Sequence, residues 1–299
     1  MEKILATFNL TENDFLGEGV ESRVYALDSD RVLRIPKGHK PEEMQERLWL
    51  LEVVNRGRYT FRIPNVLERG EVQGRLYAIE QRLYGKSMRS QFAHWKVKER
   101  KQAMEAFLLA ILPLAAANVD SLPYGELIGE NKVQNTSWPE YLRAKSDIIL
   151  KQTRGKLERA VPNFAAALGR FEEGLRALES FHTKQLVHGD YYPEHVMFNN
   201  KLEVTGLLDF SRLTIIGDSN IDRAEALSSF EDPLRPEGSE ENGEYFRYLL
   251  QKHGGKELLP TIRTYQLYYA LLFSDAEAFD PRTYSWCIRT LRGELWKIT

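Results

Sequence analysis

The sequence predicts an α+β protein in which a small β-rich lobe with one main helix is followed by a large, mostly helical lobe. Most segments before residue 85 are rich in β-branched and aromatic residues and are bounded by turn residues, as short strands are. After Ser87 the apolar residues recur mostly at helical spacings. The sequence has no internal repeat. The change of pattern predicts two lobes, residues 1–85 and 86–299, with the boundary near Gly85.

The N-terminal lobe is expected to contain a β-hairpin, one helix and further strands. A turn segment, DSD at residues 28–30, separates two stretches of strand composition. The helix has proline in its first turn, early glutamates and apolar residues at spacings of four and three. The predicted elements are strands at 22–27 and 31–35, a helix at 41–54, and strands at 66–68 and 76–83.

The C-terminal lobe is expected to be helical around one short β-region. Helical patterns cover residues 99–117, 138–160 and 162–182, and they return toward the end of the chain. Strand-like segments at 196–198 and 204–208 lie close after the tripeptide His188-Gly189-Asp190. The β-region therefore surrounds the most polar motif of this lobe.

The composition excludes several classes of protein. With 42% hydrophobic and 11% aromatic residues, the 299-residue chain is too apolar to be disordered. The 41 basic residues nearly balance the 43 acidic ones, for a formal net charge of −2, whereas a nucleic-acid binder shows a basic face or a high pI. We therefore expect no nucleic-acid partner.

The sequence also predicts a cytoplasmic protein. Cys287 is the only cysteine, so no internal disulfide can form, which suits a reducing compartment. The first residues lack the apolar core and cleavage site of a signal peptide. The longest apolar run, residues 106–117, contains Pro113 and is shorter than the roughly 20 residues that a membrane span needs. We expect no membrane association.

Two glycine-containing segments invite comparison with phosphate-binding loops. Gly17 and Gly19 come just before Ser22, and glycines there would let exposed amides approach a phosphate. A simple turn into a strand explains this segment about equally well. The second segment, Gly85-Lys86-Ser87, fails as a P-loop because Glu80 stands where that motif requires its first glycine.

Arg34 lies in a short apolar strand, where a cation requires an anionic partner or ligand. Glu46, in the following helix, could supply that carboxylate. Taken singly, a solvated arginine and a solvated glutamate explain the two residues better.

The densest polar stretch is LVHGDYYPEHVMFN, at residues 186–199. Gly189 and Pro193 make it a loop, so its histidines do not have the spacing of a helical metal site. Asp209 follows in GLLDFS, at the end of an apolar strand. Two carboxylates at strand–loop junctions, Asp190 and Asp209, fit phosphoryl transfer: one meets the nucleophile and the other holds a divalent cation.

Taken in order, these motifs resemble the aminoglycoside phosphotransferase and choline kinase family, small-molecule kinases related to protein kinases. The resemblance rests on Gly17-x-Gly19, Arg34, Glu46, HGDYYPEH and LLDFS, continued by GDSNID at residues 217–222. It implies a bilobal, protein-kinase-like fold. It also implies an enzyme that moves the γ-phosphate of ATP or GTP to a hydroxyl of a small molecule.

The resemblance implies roles for individual residues. Asp190 is the expected catalytic carboxylate, and Asp209 the expected ligand of Mg²⁺ between the nucleotide phosphates. Arg34, held by Glu46, is expected to bind the phosphates. The expected remaining contacts come from Gly17, Gly19 and Ser22 over the phosphates, from Gln81 and Leu83 in a hinge beside the base, and from His188 and Asp218 as braces of the catalytic loop.

Three residues depart from the family pattern. Arg34 replaces the more usual lysine, and Ser211 replaces the glycine of the Asp-Phe-Gly motif. His195 stands where a metal-binding asparagine is expected, and imidazole suits softer ions such as Mn²⁺ better than Mg²⁺. Three alternatives follow: Asp209 and water hold the metal mostly alone, His195 makes a site that accepts Mn²⁺, or the protein is a weak or inactive nucleotide-binding protein. A protein kinase is disfavoured because no Ala-Pro-Glu segment follows Asp209.

The sequence leaves the acceptor open between aminoglycosides, macrolides, choline-like compounds and other metabolites. Helices inserted at about 100–160 resemble those that shape acceptor pockets in antibiotic kinases. Acidic residues crowd 225–244, where a wall attractive to cations and a solvated acidic loop are the alternatives, the loop being favoured. A monomer and a homodimer are both compatible with the sequence.

Overall fold

The computed structural model describes residues 2–19, 22–38 and 41–295. It confirms the predicted α+β class, with β-strands concentrated toward the N-terminus and helices toward the C-terminus. Within the described ranges, no helix combines the length and the apolar character required to cross a bilayer.

The N-terminal part is a five-stranded antiparallel sheet accompanied by two helices. The elements are α1 (Glu2–Thr7), β1 (Phe15–Glu18), β2 (Ser22–Ala26), β3 (Arg31–Pro36), α2 (Pro41–Val54), β4 (Val66–Val72) and β5 (Arg75–Gln81). The strand order is β1-β2-β3-β5-β4, so the predicted hairpin β2–β3 lies inside the sheet. Strand β5 ends two residues earlier than predicted, before Leu83.

The rest of the chain is mainly helical and carries two small sheets. Its strands are β6 (Lys86–Ser87), β7 (Tyr124–Glu126), β8 (Gln134–Asn135), β9 (Gln185–Val187), β10 (Val196–Phe198), β11 (Val204–Leu207) and β12 (Ile215–Gly217). The strand orders of the two sheets are β11-β10-β6 and β8-β7-β12-β9. Its helices are α3 (Met88–Phe92), α4 (Val97–Leu109), α5 (Ile111–Ala115), α6 (Trp138–Ala160), α7 (Phe164–Ala177), α8 (Asn220–Glu231), α9 (Glu240–Gly254), α10 (Leu258–Leu272) and α11 (Pro281–Arg292).

Several elements differ from the sequence-based expectation. The predicted helix at 99–117 is divided at Ala110 into α4 and α5, and Pro113 within α5 has no amide hydrogen to continue a helical ladder. Strands β7 and β8 fall in a region expected to contain only turns, because two- and three-residue strands carry too little periodicity to detect.

Two hydrophobic clusters organise the chain. The smaller one, containing Tyr25, Leu33 and Ile79, lies on one face of the five-stranded sheet and is covered by α1. The larger one fills the helical part and includes Leu50 and Val54 of α2. Helix α2 therefore packs with the helical part of the chain while its polar residues remain available to the sheet.

Candidate active site

The loop after β9 presents Asp190 through a backbone that only glycine permits. Gly189 has a φ of +79°, and a Cβ there would lie 1.8 Å from the carbonyl oxygen of Leu213. A side chain at this position is therefore excluded by both backbone conformation and space. The sequence requirement for glycine beside Asp190 has a physical cause.

Buried carboxylates from α8 hold this loop through its backbone. The two oxygens of Asp222 accept hydrogen bonds from the amides of His188 and Gly189, both at 2.8 Å. Glu225 accepts one from the amide of Tyr191 at 2.5 Å. Asp222 is fully buried and Glu225 is 1% exposed. The position of Asp190 thus depends on α8.

His188 connects the Asp190 loop to the strand that leads to Asp209. Its Nε2 donates to the carbonyl of Leu208 at 2.7 Å, and its Nδ1 accepts from the amide of Asp190 at 3.2 Å. Both contacts require the neutral ring with hydrogen on Nε2. Burial, with a smaller contribution from His195, lowers the pKa of His188 to about 4. His188 therefore acts as a brace.

Asp190, His195 and Asp209 converge at one point. Each offers an atom within 4.8 Å of the atoms offered by the others. Nε2 of His195 lies 3.4 Å from Oδ2 of Asp209, and its Nδ1 donates to the carbonyl of Asp190 at 2.8 Å. Burial raises the pKa of the Asp190 carboxyl; His195 opposes this and Asp209 adds to it.

This donor set fits a divalent cation. Donation from Nδ1 of His195 leaves the lone pair of Nε2 facing Asp209, an arrangement in which a backbone carbonyl orients a metal-binding histidine. Two carboxylates suit a hard cation, and the imidazole shifts the preference toward softer ions. Asp209 has a φ of +64° and a largely exposed side chain, so its carboxylate is free to reach a ligand.

The predicted pairing of Arg34 with Glu46 is wrong. Nε of Arg34 instead donates to Oε1 of Glu80 at 2.9 Å. Arg34 pairs with Ala78 in the β3–β5 ladder, so Glu80, two residues on, is its diagonal neighbour on the same face. Glu46 accepts from the amide of Gly129 at 2.9 Å, whereas its neighbour Arg47 binds Glu80 at 3.1 Å.

A cavity of about 330 Å³ lies between β3, α2 and the segment after Asp209. Basic side chains dominate its charged lining. These are Arg34, Lys37, Arg47 and Arg212, against Glu43 and Glu46. The excess of positive charge suits an anion with several charges.

The glycine segment belongs to the β1–β2 hairpin and comes just before Ser22, which lines this cavity. Gly17 lies in β1 opposite Val24, and the amide of Gly19 donates to the carbonyl of Ser22 at 3.0 Å. A Cβ at either glycine would meet no atom within 4 Å. Packing inside the protein therefore does not require glycine at either position. Residues 20 and 21 of the expected loop lie outside the described residues.

The expected hinge spans the end of β5 and the residues just after it. The amide of Gln81 donates to the carbonyl of Asn65 at 2.9 Å, so it is not free for a ligand. The amide of Leu83, by contrast, has no hydrogen-bond partner within the described parts of the chain. The structure brings neither residue into the cavity that Arg34 lines.

The acidic segment at residues 225–244 is expected from its sequence to be a wall that attracts cations or a solvated loop, and neither describes its central carboxylates. Glu231 is bound by Arg247 and Arg263, and Asp232 by Arg289 at 2.5 Å. Because these arginines lie on distant helices, the sequence could not indicate the pairing. Asp232 and Glu237 are buried, as is Glu225, and Glu240, Glu241 and Glu244 are exposed.

The expected role of Asp218 as a brace of the catalytic loop is also wrong. Its carboxylate accepts from the hydroxyl of Tyr265 at 2.6 Å, and Tyr265 accepts from the indole of Trp138 at 2.9 Å. Asp218 therefore ties the segment after β12 to helices α6 and α10. The contacts to the catalytic loop come from Asp222, one helical turn further.

Sequence reasoning missed Glu80 and Arg47. A signal for Glu80 existed, since an acidic residue in an apolar strand requires a cationic partner, just as Arg34 in such a strand requires an anionic one. Arg47 gave no such signal, because a basic residue next to Glu46 in a helix with several charged residues is ordinarily solvated.

The chain belongs to the phosphotransferase enzyme family, whose model matches residues 14–255. This confirms the resemblance stated from the motifs. A search of curated proteins found no match.

Solved structures of aminoglycoside phosphotransferases share the fold. The GDP and kanamycin complex of APH(2")-IIia superimposes with a TM-score of 0.65 at 16% identity, over 99% of this chain and 100% of that one. ADP-bound APH(2'')-Ib gives 0.63 at 17% identity, over 94% and 93%. The streptomycin–ATP complex of APH(2")-IIa gives 0.61 at 17% identity, over 100% and 95%. The protein-kinase-like fold is therefore confirmed.

Proposed function

We propose that the protein transfers the γ-phosphate of ATP or GTP to a hydroxyl of a small molecule, as aminoglycoside and macrolide phosphotransferases do. The observation that carries this proposal is the convergence of Asp190, His195 and Asp209 near a cationic cavity lined by Arg34. The family match and the nucleotides named in the related complexes support it.

Asp190 is the proposed catalytic residue. Its carboxylate accepts or orients the proton of the attacking hydroxyl, which aligns the nucleophile with the phosphate. The buried carboxylates behind the loop fix the position of its backbone. The neutral ring of His188, through its two hydrogen bonds, fixes the orientation of the loop at Asp190. The chain thus contributes chiefly preorganisation, the main source of catalysis in phosphoryl transfer.

Asp209 and His195 are the proposed ligands of Mg²⁺ or Mn²⁺. When bound, the cation neutralises charge on the transferring phosphate. Arg34 binds the phosphates from the side of the sheet, and Gly17, Gly19 and Ser22 approach them from above. The amide of Leu83 contacts the base, and Gln81, whose amide is bonded to Asn65, contributes only its carbonyl.

The two lobes divide these tasks. Residues 1–85 bind the nucleotide, and residues 86–299 supply the catalytic loop and the acceptor site. We place this activity in the cytoplasm, in a monomer or homodimer.

The test is nucleotide-dependent phosphorylation across aminoglycosides, macrolides and amino alcohols, with Mg²⁺ and with Mn²⁺. Wild type is compared with Asp190→Asn and with a matched surface variant, Glu240→Gln, whose carboxylate is exposed on α9. Transfer by wild type and Glu240→Gln, lost in Asp190→Asn, is the expected result. Equal rates in all three would contradict the proposal.

The second candidate is a protein that binds nucleotide without transferring phosphate. The observation behind it is His195 in the position of the expected asparagine. This function predicts nucleotide binding that does not depend on a metal, together with no gain from His195→Asn. If His195→Asn raises Mg²⁺ affinity, measured by titration calorimetry, the phosphotransferase is favoured.

A further inference from the structure

Two arginines share one buried carboxylate at the wall of the cationic cavity. Oε1 of Glu80 accepts from Nε of Arg34 at 2.9 Å and from Nε and Nη2 of Arg47 at 3.2 and 3.1 Å. Glu80 is only 2% exposed. Burial raises the pKa of Glu80, but attraction to Arg47 and Arg34 outweighs it and leaves that pKa lowered. Since arginine stays protonated, the three groups carry one net positive charge.

Arg47 also reaches the segment that carries the proposed metal ligand. Its Nη1 lies 3.5 Å from the carbonyl oxygen of Phe210, the residue after Asp209. The same side chain therefore lies between β5, which carries Glu80, and the Asp209 turn. Both arginines and Ser22 line the one cavity, and Nη1 of Arg34 donates to Oγ of Ser22 at 2.5 Å.

We propose that Arg47 is a second phosphate-binding residue and that Glu80 positions it together with Arg34. This inference rests on the proposed function, because it takes the nucleoside triphosphate as the anion. The arrangement differs from the one that the sequence suggested, in which the strand supplies the cation and helix α2 the carboxylate. Here β3 and α2 each supply a cation, and β5 supplies the acid.

Charge and geometry both favour this role. A carboxylate that binds two guanidinium groups restricts their rotation, so less entropy is lost when they bind phosphate. One uncompensated charge at the cavity wall attracts a polyanion and does little for a neutral ligand. Arginine presents a planar fork of donors, which suits phosphate oxygens.

The experiment measures binding of ATP, GTP and the corresponding monophosphates to the full chain by titration calorimetry, with competition for weak ligands. The variants are Arg47→Gln, Arg47→Lys and Glu80→Gln. The matched control is Arg69→Gln. Arg69 lies on the exposed strand β4 and also binds helix α2, through a hydrogen bond of 2.8 Å from its Nη1 to Oε1 of Gln45, but it lies outside the cavity. Thermal unfolding of each variant checks that it folds.

We expect Arg47→Gln to weaken triphosphate binding about ten- to a hundredfold, equivalent to about 1.4–2.8 kcal/mol, and monophosphate binding less than twofold. Arg47→Lys recovers part of the lost triphosphate affinity. Glu80→Gln lowers the ratio of triphosphate affinity to monophosphate affinity, and Arg69→Gln leaves that ratio unchanged. Equal weakening of triphosphate and monophosphate, or unchanged triphosphate binding, would overturn the role of Arg47. Failure of wild type to bind either triphosphate would instead contradict the proposed function itself.

Discussion

The catalytic loop and the arginine pair are both held by buried carboxylates, but the carboxylates hold different parts of the chain. Asp222 and Glu225 bind backbone amides of the loop, at 2.5 to 2.8 Å. Among the described residues, the Glu80 carboxylate binds the side chains of Arg34 and Arg47 and no backbone group. Asp222 and Glu225 therefore fix the backbone of the loop, whereas Glu80 fixes two side chains that could otherwise rotate.

This difference separates stability from binding. Removing a carboxylate that holds backbone amides leaves buried donors unsatisfied and disturbs the loop that carries Asp190. Removing one that holds arginine side chains frees them to move while the β3–β5 ladder remains intact. The two regions are thus expected to respond to equivalent substitutions in different measurements.

The largest effect is expected at Asp190. Replacing it by asparagine removes the proposed proton acceptor without disturbing the loop behind it, so kcat should fall by about 10²- to 10⁴-fold. Triphosphate affinity should change little. Steady-state phosphorylation and nucleotide titration, run on the same preparation, check both expectations. A parallel loss of nucleotide binding would show that Asp190 acts on the nucleotide side as well.

Asp222→Asn should cost about 2–4 kcal/mol in the free energy of unfolding. The amide that replaces one oxygen cannot accept the hydrogen bond that Asp222 receives from a buried backbone amide. Urea unfolding measures the change, with Glu240→Gln as the matched control on an exposed face. If Asp222→Asn abolished transfer at unchanged stability, the backbone-anchoring role would be refuted.

Arg34→Lys is a conservative test of the arginine pair. Lysine keeps the charge but loses the fork that contacts Glu80 and Ser22 together. We expect triphosphate affinity to fall about three- to tenfold, with the free energy of unfolding lowered by about 1–2 kcal/mol, because a hydrogen bond to the buried Glu80 is weakened. Full retention of triphosphate affinity would mean that the fork geometry is dispensable.

The smallest effect is expected at Glu46. Its carboxylate accepts the amide of Gly129, so Glu46→Gln should lower stability by about 0.5–1 kcal/mol. Since Glu46 does not hold Arg34, triphosphate affinity should change by less than twofold. A loss as large as that of Glu80→Gln in nucleotide titration would restore the pairing that the sequence suggested.

Sequence reasoning grouped residues that are close together in the chain. Asp190 and His195 belong to one loop, and Asp209 follows the strand hairpin that comes after it. The ordered motifs grouped the three residues, the structure places them within 4.8 Å of one another, and their roles stay predictions. Sequence reasoning failed for Arg34, because its partner depends on the register of β3 against β5, which local patterns do not specify.

The same reason explains the acidic segment at residues 225–244. Glu231 and Asp232 stand in a run of acidic residues, which indicates solvation when no partner is visible. Their arginines come from α9, α10 and α11, between 16 and 57 residues further along the chain. Only packing of the helices could show that these carboxylates are neutralised internally.

A crystal structure with a non-hydrolysable ATP analogue and Mn²⁺ tests the central claim most directly. Anomalous scattering at the manganese edge locates the ion independently of the nucleotide. We predict manganese bound by Asp209 and by Nε2 of His195, with the terminal phosphates against Arg34 and Arg47. Manganese elsewhere, or phosphates bound outside the cavity between β3 and α2, would contradict the account.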